Sequence, residues 1–249
     1  MPKKTSSAFE IEGQILSTEE FQKSSMAHKL NWLRAGVLGA NDGIVSTAGL
    51  IFGVAGATND QNAIFIAGVA ALVAGSISMA GGEYTSVSAQ KDSELAAIAK
   101  ERQELKDSPE AELRELAWFY EQKGMSPKLA KAVAAELTEK DALKAHAEVE
   151  LGISHDQHVS PSAAALSSFV AFAAGSLLPL LTATATPWLN LRIPFTVVAV
   201  VLSLGLTGYI AAQIGGAKPA RAIIRNVVIS LLTMSVTYAI GYLVGQPFA

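Results

Sequence analysis

The chain of 249 residues has no cysteine. This excludes disulfides and thiolate metal sites, leaving oxygen, imidazole nitrogen and thioether sulfur as metal donors. Charge is scarce, at 16 % of residues, against about 25 % in an ordinary soluble domain. Neither sign dominates: the net charge is −3, so nothing favours nucleic acid as a partner. Four histidines and the lack of a Glu-x-x-His pair leave a ferritin-like oxidase centre unsupported. No nucleophile–base set stands out, so an enzyme is not expected. No stretch alternates like a strand. The first 29 residues lack the apolar core of a signal peptide, so retention of the N-terminus is expected.

Apolar residues make up half the chain, and they fall in runs. These cover about 35–57, 63–89, 163–183, 194–214 and 221–245, each long enough to cross a bilayer as a helix. Charge collects between the second and third runs: positions 91–162 hold 15 of the 22 acids and 10 of the 19 basic residues. We therefore expect an all-α integral membrane protein, with five transmembrane helices and a three-helix cytosolic insert between spans 2 and 3. The expected divisions are 1–29, an N-terminal cytosolic segment with an amphipathic stripe of Phe21, Met26, Leu30 and Leu33; 30–90, spans 1–2; 91–162, the insert; and 163–249, spans 3–5. Lys and Arg test the topology. With the N-terminus and insert inside, Arg192 is the sole basic residue on the far side, as the positive-inside rule requires. Within the insert, Ser108-Pro109 and Ser126-Pro127 each read as an N-cap followed by proline at the first helical position. Gly124 reads as a helix end. The spacing predicts helices over 92–107, 109–123 and 127–151.

Two acids lie inside the runs, Asp42 and Glu83. A charged side chain in a span costs about 2.5–3.5 kcal/mol unless something compensates it. Each acid stands seven or eight residues from the cytosolic end of its span, which predicts similar depths. Met79 shares a helix face with Glu83, one turn away. Carboxylates with a thioether suit a borderline divalent ion such as Fe²⁺. The plainer alternatives are a kink at Asn41-Asp42-Gly43 and a methionine that only packs. Ser46, Thr47, Ser76 and Ser78 read as packing polars.

The insert carries a second acid pattern. Glu101 and Glu104 share a helix face, as do Glu112 and Glu115 on the next helix. His146 and Glu150 pair at i,i+4, with Glu148 pointing elsewhere. Convergence of these faces would gather carboxylates and one imidazole, a donor set for Fe²⁺, Mn²⁺, Zn²⁺ or Co²⁺. The competing explanation is a solvated acidic face. His155 and His158 read as bystanders.

Leu38-Gly-Ala-Asn-Asp-Gly-Ile-Val-Ser-Thr47, Gly75-Ser-Ile-Ser-Met-Ala-Gly-Gly-Glu-Tyr84, Gln90-Lys-Asp92, the Glu-x-x-Glu pairs and Glu150-Leu-Gly152 resemble the vacuolar iron transporter family of proton-coupled divalent-metal transporters. The likeness covers about 30–249. It implies a five-span homodimer with a metal path between the two first spans, lined by Asp42, Met79 and Glu83. It implies that the insert binds metal through Glu101, Glu104, Glu112, Glu115 and Glu150. His146 and Ala147 stand where some relatives have a methionine pair, and Ala35 where some have another acid. The resulting expectation is a carrier of Fe²⁺, with Mn²⁺ as a second substrate, out of the cytosol in exchange for protons. Metal is then substrate and insert ligand, with no permanently bound cofactor. The rival is a non-transporting membrane metal sensor or scaffold whose acidic insert binds metal or a partner. A bacterial inner membrane is expected rather than a vacuolar one.

Overall fold

The computed structural model describes residues 10–11, 14–15, 18–153, 160–185 and 191–246, with side chains from Gly36 onward. Among these, seven helices follow a minimal ladder of two strands, β1 (Glu10–Ile11) and β2 (Gln14–Ile15), paired antiparallel. The helices are α1 (Thr18–Ala57), α2 (Gln61–Asp107), α3 (Pro109–Gln122), α4 (Pro127–Val149), α5 (Pro161–Ala185), α6 (Arg192–Ile214) and α7 (Pro219–Gly245). Proline opens α3, α4, α5 and α7; its fixed φ suits the first helical position, where no N–H partner exists to be lost. The chain divides into two compact units, residues 1–85 with 161–249, and residues 86–160. Five helices are long and apolar enough to cross a membrane: α1 from Gly36, α2, α5, α6 and α7.

In the first unit, α1 lies between α5 and α7 and also touches α6. Glycines permit this. A β-carbon at Gly43 would run into the Phe172 carbonyl of α5, and one at Gly241 of α7 into the Gly53 carbonyl. Gly39 and Gly43 thus serve α5, while Gly49 and Gly53 serve α7: two small-residue faces on one helix. The core between these helices holds Ile44, Ile51, Phe52, Leu180, Val200, Leu204 and Met234. On α6 the buried residues Thr196, Val200, Leu204, Gly208 and Ala212 recur every fourth position. The opposite face, with Val198, Leu202 and Leu206, is exposed. Large apolar side chains are exposed all round the unit, Leu243 at 71 %. In water that would be an association surface; in hydrocarbon it is the required exterior.

The second unit is built from the polar end of α2 with α3 and α4. Leu116, Ala117, Ala134 and Ala145 form its core, with Leu113, Tyr120, Leu137 and Val149 around them.

Three local expectations change. The second span and the first insert helix are one 47-residue helix, because no glycine or proline stands between Gly82 and Pro109 to stop it. The third insert helix ends at Val149 and is broken at Asp141, whose φ of −167° and ψ of 93° are extended. Asp141 Oδ1 accepts from the Lys144 N–H at 3.0 Å, so it caps a fresh start of helix. Ser126 caps α4 by accepting from Leu129 N–H, whereas the Ser108 hydroxyl caps nothing; there the Ser108 carbonyl accepts from the N–H groups of Ala111 and Glu112. Gly124 does end α3, with φ of 95°, a conformation that carries no penalty without a β-carbon. The stripe of Phe21, Met26, Leu30 and Leu33 lies outside the described side chains, and His155 and His158 lie outside the described residues.

Candidate metal centre

Three helices of the second unit aim donors at one point. Glu101 comes from α2, Glu112 from α3, and His146 from the short stretch of α4 after the Asp141 break. Their donor atoms all lie within 4.8 Å of one another. His146 is the hub and is fully buried. Its Nδ1 stands 3.0 Å from Glu101 Oε1, 3.3 Å from Glu150 Oε2 and 3.9 Å from Glu112 Oε2. With the proton on Nδ1, the ring donates to Glu150.

The cluster is electrostatically uncomfortable without a cation. Glu101 is 2 % exposed, yet its Oε1 accepts no hydrogen bond. Burial pushes the Glu101 carboxyl up from the usual glutamate range; repulsion from Glu150 adds to this and His146 opposes it. Burial also raises Glu112, with repulsion from Glu115 next and His146 again opposing. Both are signs of an environment that disfavours bare negative charge. Donors sharing a divalent transition ion at about 2.1 Å lie about 3–4 Å apart, so a small inward movement would let these residues share one.

The remaining acids sit at the edge. Glu104 pairs with Lys100 at 2.8 Å and is partly exposed; Glu115 is exposed. Both are near enough to raise Glu112. Glu148 turns away to Lys144, at 3.9 Å. The i,i+3 pairs are therefore split, one member inward and one outward.

In the first unit, Asp42 lies on the open face of α1, in line with Leu38, Ser46 and Leu50. Among the described residues its carboxylate has no ion-pair partner. Met79 and Glu83 lie on the half-buried face of α2, continuous with the buried residues Ile64, Gly68 and Ser76. Similar depth is not what the structure shows. The α1–α2 turn lies between Ala57 and Gln61. Asp42 is 15 residues before Ala57 and Glu83 is 22 after Gln61, an offset of about 10 Å at 1.5 Å per residue. Contacts agree: Phe172 meets both Gly43 and Gly75, so Met79 and Glu83 stand one and two turns beyond the level of Asp42. Counting from the apolar boundary failed because α2 continues through it unbroken.

Sequence reasoning missed the tethers around Asp42. Asn41 Oδ1 accepts from the Thr207 hydroxyl of α6 at 2.5 Å. The Ser176 hydroxyl of α5 donates to the Gly43 carbonyl at 3.2 Å and accepts from Thr47 at 2.9 Å. These partners are more than 120 residues away in sequence, beyond the reach of any local spacing. Among the described residues Ser46 and Ser76 bond only to carbonyls one turn back, Asp42 and Leu72.

Residues 33–242 match the VIT family profile. The chain belongs to the VIT family. Among its curated VIT relatives, a vacuolar iron transporter of Acanthamoeba castellanii is 42 % identical over 212 residues, covering 85 % of this chain and 78 % of that protein. Vacuolar iron transporter homolog 1 of Oryza sativa is 37 % identical, over 88 % of this chain and 76 % of its own length. Vacuolar iron transporter homolog 2 of Arabidopsis thaliana is 34 % identical, over 86 % and 85 %. These vacuolar names do not favour the bacterial inner membrane expected from sequence.

Proposed function

We propose that this VIT protein carries Fe²⁺, and Mn²⁺ as a second substrate, out of the cytosol in exchange for protons. The observation that carries the reading is Asp42: a carboxylate without an ion-pair partner among the described residues, on the open face of the helix that the other spans pack around. A helix kept only as an anchor has no use for that charge. The relatives' names point to the same cargo. Asp42, Met79 and Glu83 would line the path at successive depths, with a second copy of the chain facing Asp42. Asp42 must lose its proton to take a metal, so each metal released can be replaced by a proton from the far side. The N-terminus and the insert face the cytosol, where Glu101, Glu112, His146 and Glu150 gather the ion, with Glu104 and Glu115 at the edge. Purified protein in liposomes tests this. Fe²⁺ flux should require a pH gradient, and Mn²⁺ should compete; flux indifferent to the gradient would remove the exchange.

The rival is a membrane-held metal sensor. It draws on the insert cluster, whose donors Glu101, Glu112, His146 and Glu150 all come from one unit. It requires metal binding with no flux at all.

A further inference from the structure

Consecutive residues on an α-helix point about 100° apart. Asn41 and Gly43 therefore flank Asp42 on either side, and each is tied to a different helix. Asn41 is held to α6 through Thr207. Gly43 is held to α5 twice over: its carbonyl accepts from Ser176, and its bare Cα abuts the Phe172 backbone. One turn on, Thr47 donates to the same Ser176 oxygen. With both flanks turned toward α5 and α6, Asp42 can only face away from them. The exposed line of Leu38, Asp42, Ser46 and Leu50 is the result.

The glycine contacts and the buried Ile44, Ile51 and Phe52 hold α1 against its neighbours. Directional hydrogen bonds beside Asp42 refine its rotation there, and in hydrocarbon no water substitutes for a lost partner. We propose that Thr207 and Ser176 are positioning residues that fix the rotation of α1 and so the direction of Asp42. The idea rests on Asp42 being the transport acid proposed above. Thr207 has the larger share. It is the only side-chain partner of Asn41 among the described residues, whereas the α5 anchor keeps its steric contact at Gly43 if Ser176 is lost.

The absence of cysteine makes the test clean. A nitroxide on Ser46→Cys, one turn from Asp42 on the same face, reports α1 rotation in the full-length protein. Thr207→Val should change its spectrum and raise the KM for Fe²⁺ flux about fivefold, the usual effect of one lost hydrogen bond. The melting temperature should fall by no more than about 2–4 °C. Thr207→Ser, which keeps the hydroxyl, should restore both spectrum and KM. Ser176→Ala should act in the same direction but less, and serves if Thr207→Val does not fold. A parent-like spectrum in folded Thr207→Val overturns the proposal, as does an altered spectrum with unchanged KM, or failure of serine to rescue. Should the parent protein show no flux, the transport reading fails by itself, and the spectrum still decides the anchoring.

Discussion

The acids of the two units are handled in opposite ways. In the second unit, Glu101, Glu112 and Glu150 turn inward onto His146 and away from water. In the first, Asp42 turns outward, away from α5 and α6. The inward cluster draws its donors from one unit and is strained by its own charge. The outward acid has no ion-pair partner among the described residues. A site of the first kind suits capture, since its donors already converge within one unit. A site of the second kind suits passage, since it depends on something arriving opposite.

The comparison can be broken most severely at Asp42. Asp42→Asn should cut Fe²⁺ flux by about 100-fold or more, the scale on which metal sites respond to altered ligation. Metal binding by the insert should be unchanged in calorimetry. Equal loss of both would mean that the two regions are not separable. Next, Glu101→Gln should lower insert affinity by about 10- to 100-fold. Flux should then fall at low metal and recover at high metal, a change in KM rather than in maximal rate.

A third expectation concerns pH. Glu101 and Glu112 are raised above the ordinary glutamate value of 4.5, so protons compete with metal at higher pH than for solvated glutamates. Insert affinity should drop as pH falls through a window above 4.5, and a titration by competition dye would show it. The metal-free insert should behave in reverse. Groups whose folded pKa is raised stabilise the fold below their unfolded value and lose that contribution as pH climbs through the folded one. Thermal melts without metal should therefore weaken toward neutral pH, and added Mn²⁺ should reverse the loss. The smallest effect is expected at Asp141. Asp141→Ala removes the cap of the last two turns of α4, worth about 1 kcal/mol. It should weaken metal binding several-fold while leaving flux at saturating metal unchanged.

Much of this was legible in the chain. Five apolar runs gave five spans, because hydrocarbon imposes length and composition directly on sequence. Ser126-Pro127 and Gly124 gave a helix start and a helix end through local chemistry alone. The i,i+3 acids marked the helices whose side chains converge on His146 but not which member turns inward; that depends on how α3 and α4 pack. His146 stood out only as one donor among several, and its place at the centre follows from the break at Asp141, which no propensity marks. The relative depth of Asp42 and Glu83 was misread because α2 does not stop where its apolar residues do. Thr207 and Ser176 gave no signal, since a hydroxyl in a span normally bonds to its own helix, as Ser76 does and as Thr207 also does, to the Leu204 carbonyl at 3.3 Å.

The extended residue at Asp141 makes the end of α4 a replaceable part. From its own cap to the turn at Gly152, where φ is 65°, this stretch is bounded by its own start and stop signals. Exchanging what it carries, an imidazole for a thioether or a second carboxylate, should change which ion the proposed insert site prefers. The rest of α4, which packs on α3 through Ala134, can stay where it is. Selectivity in such a protein can drift without the scaffold having to be rebuilt.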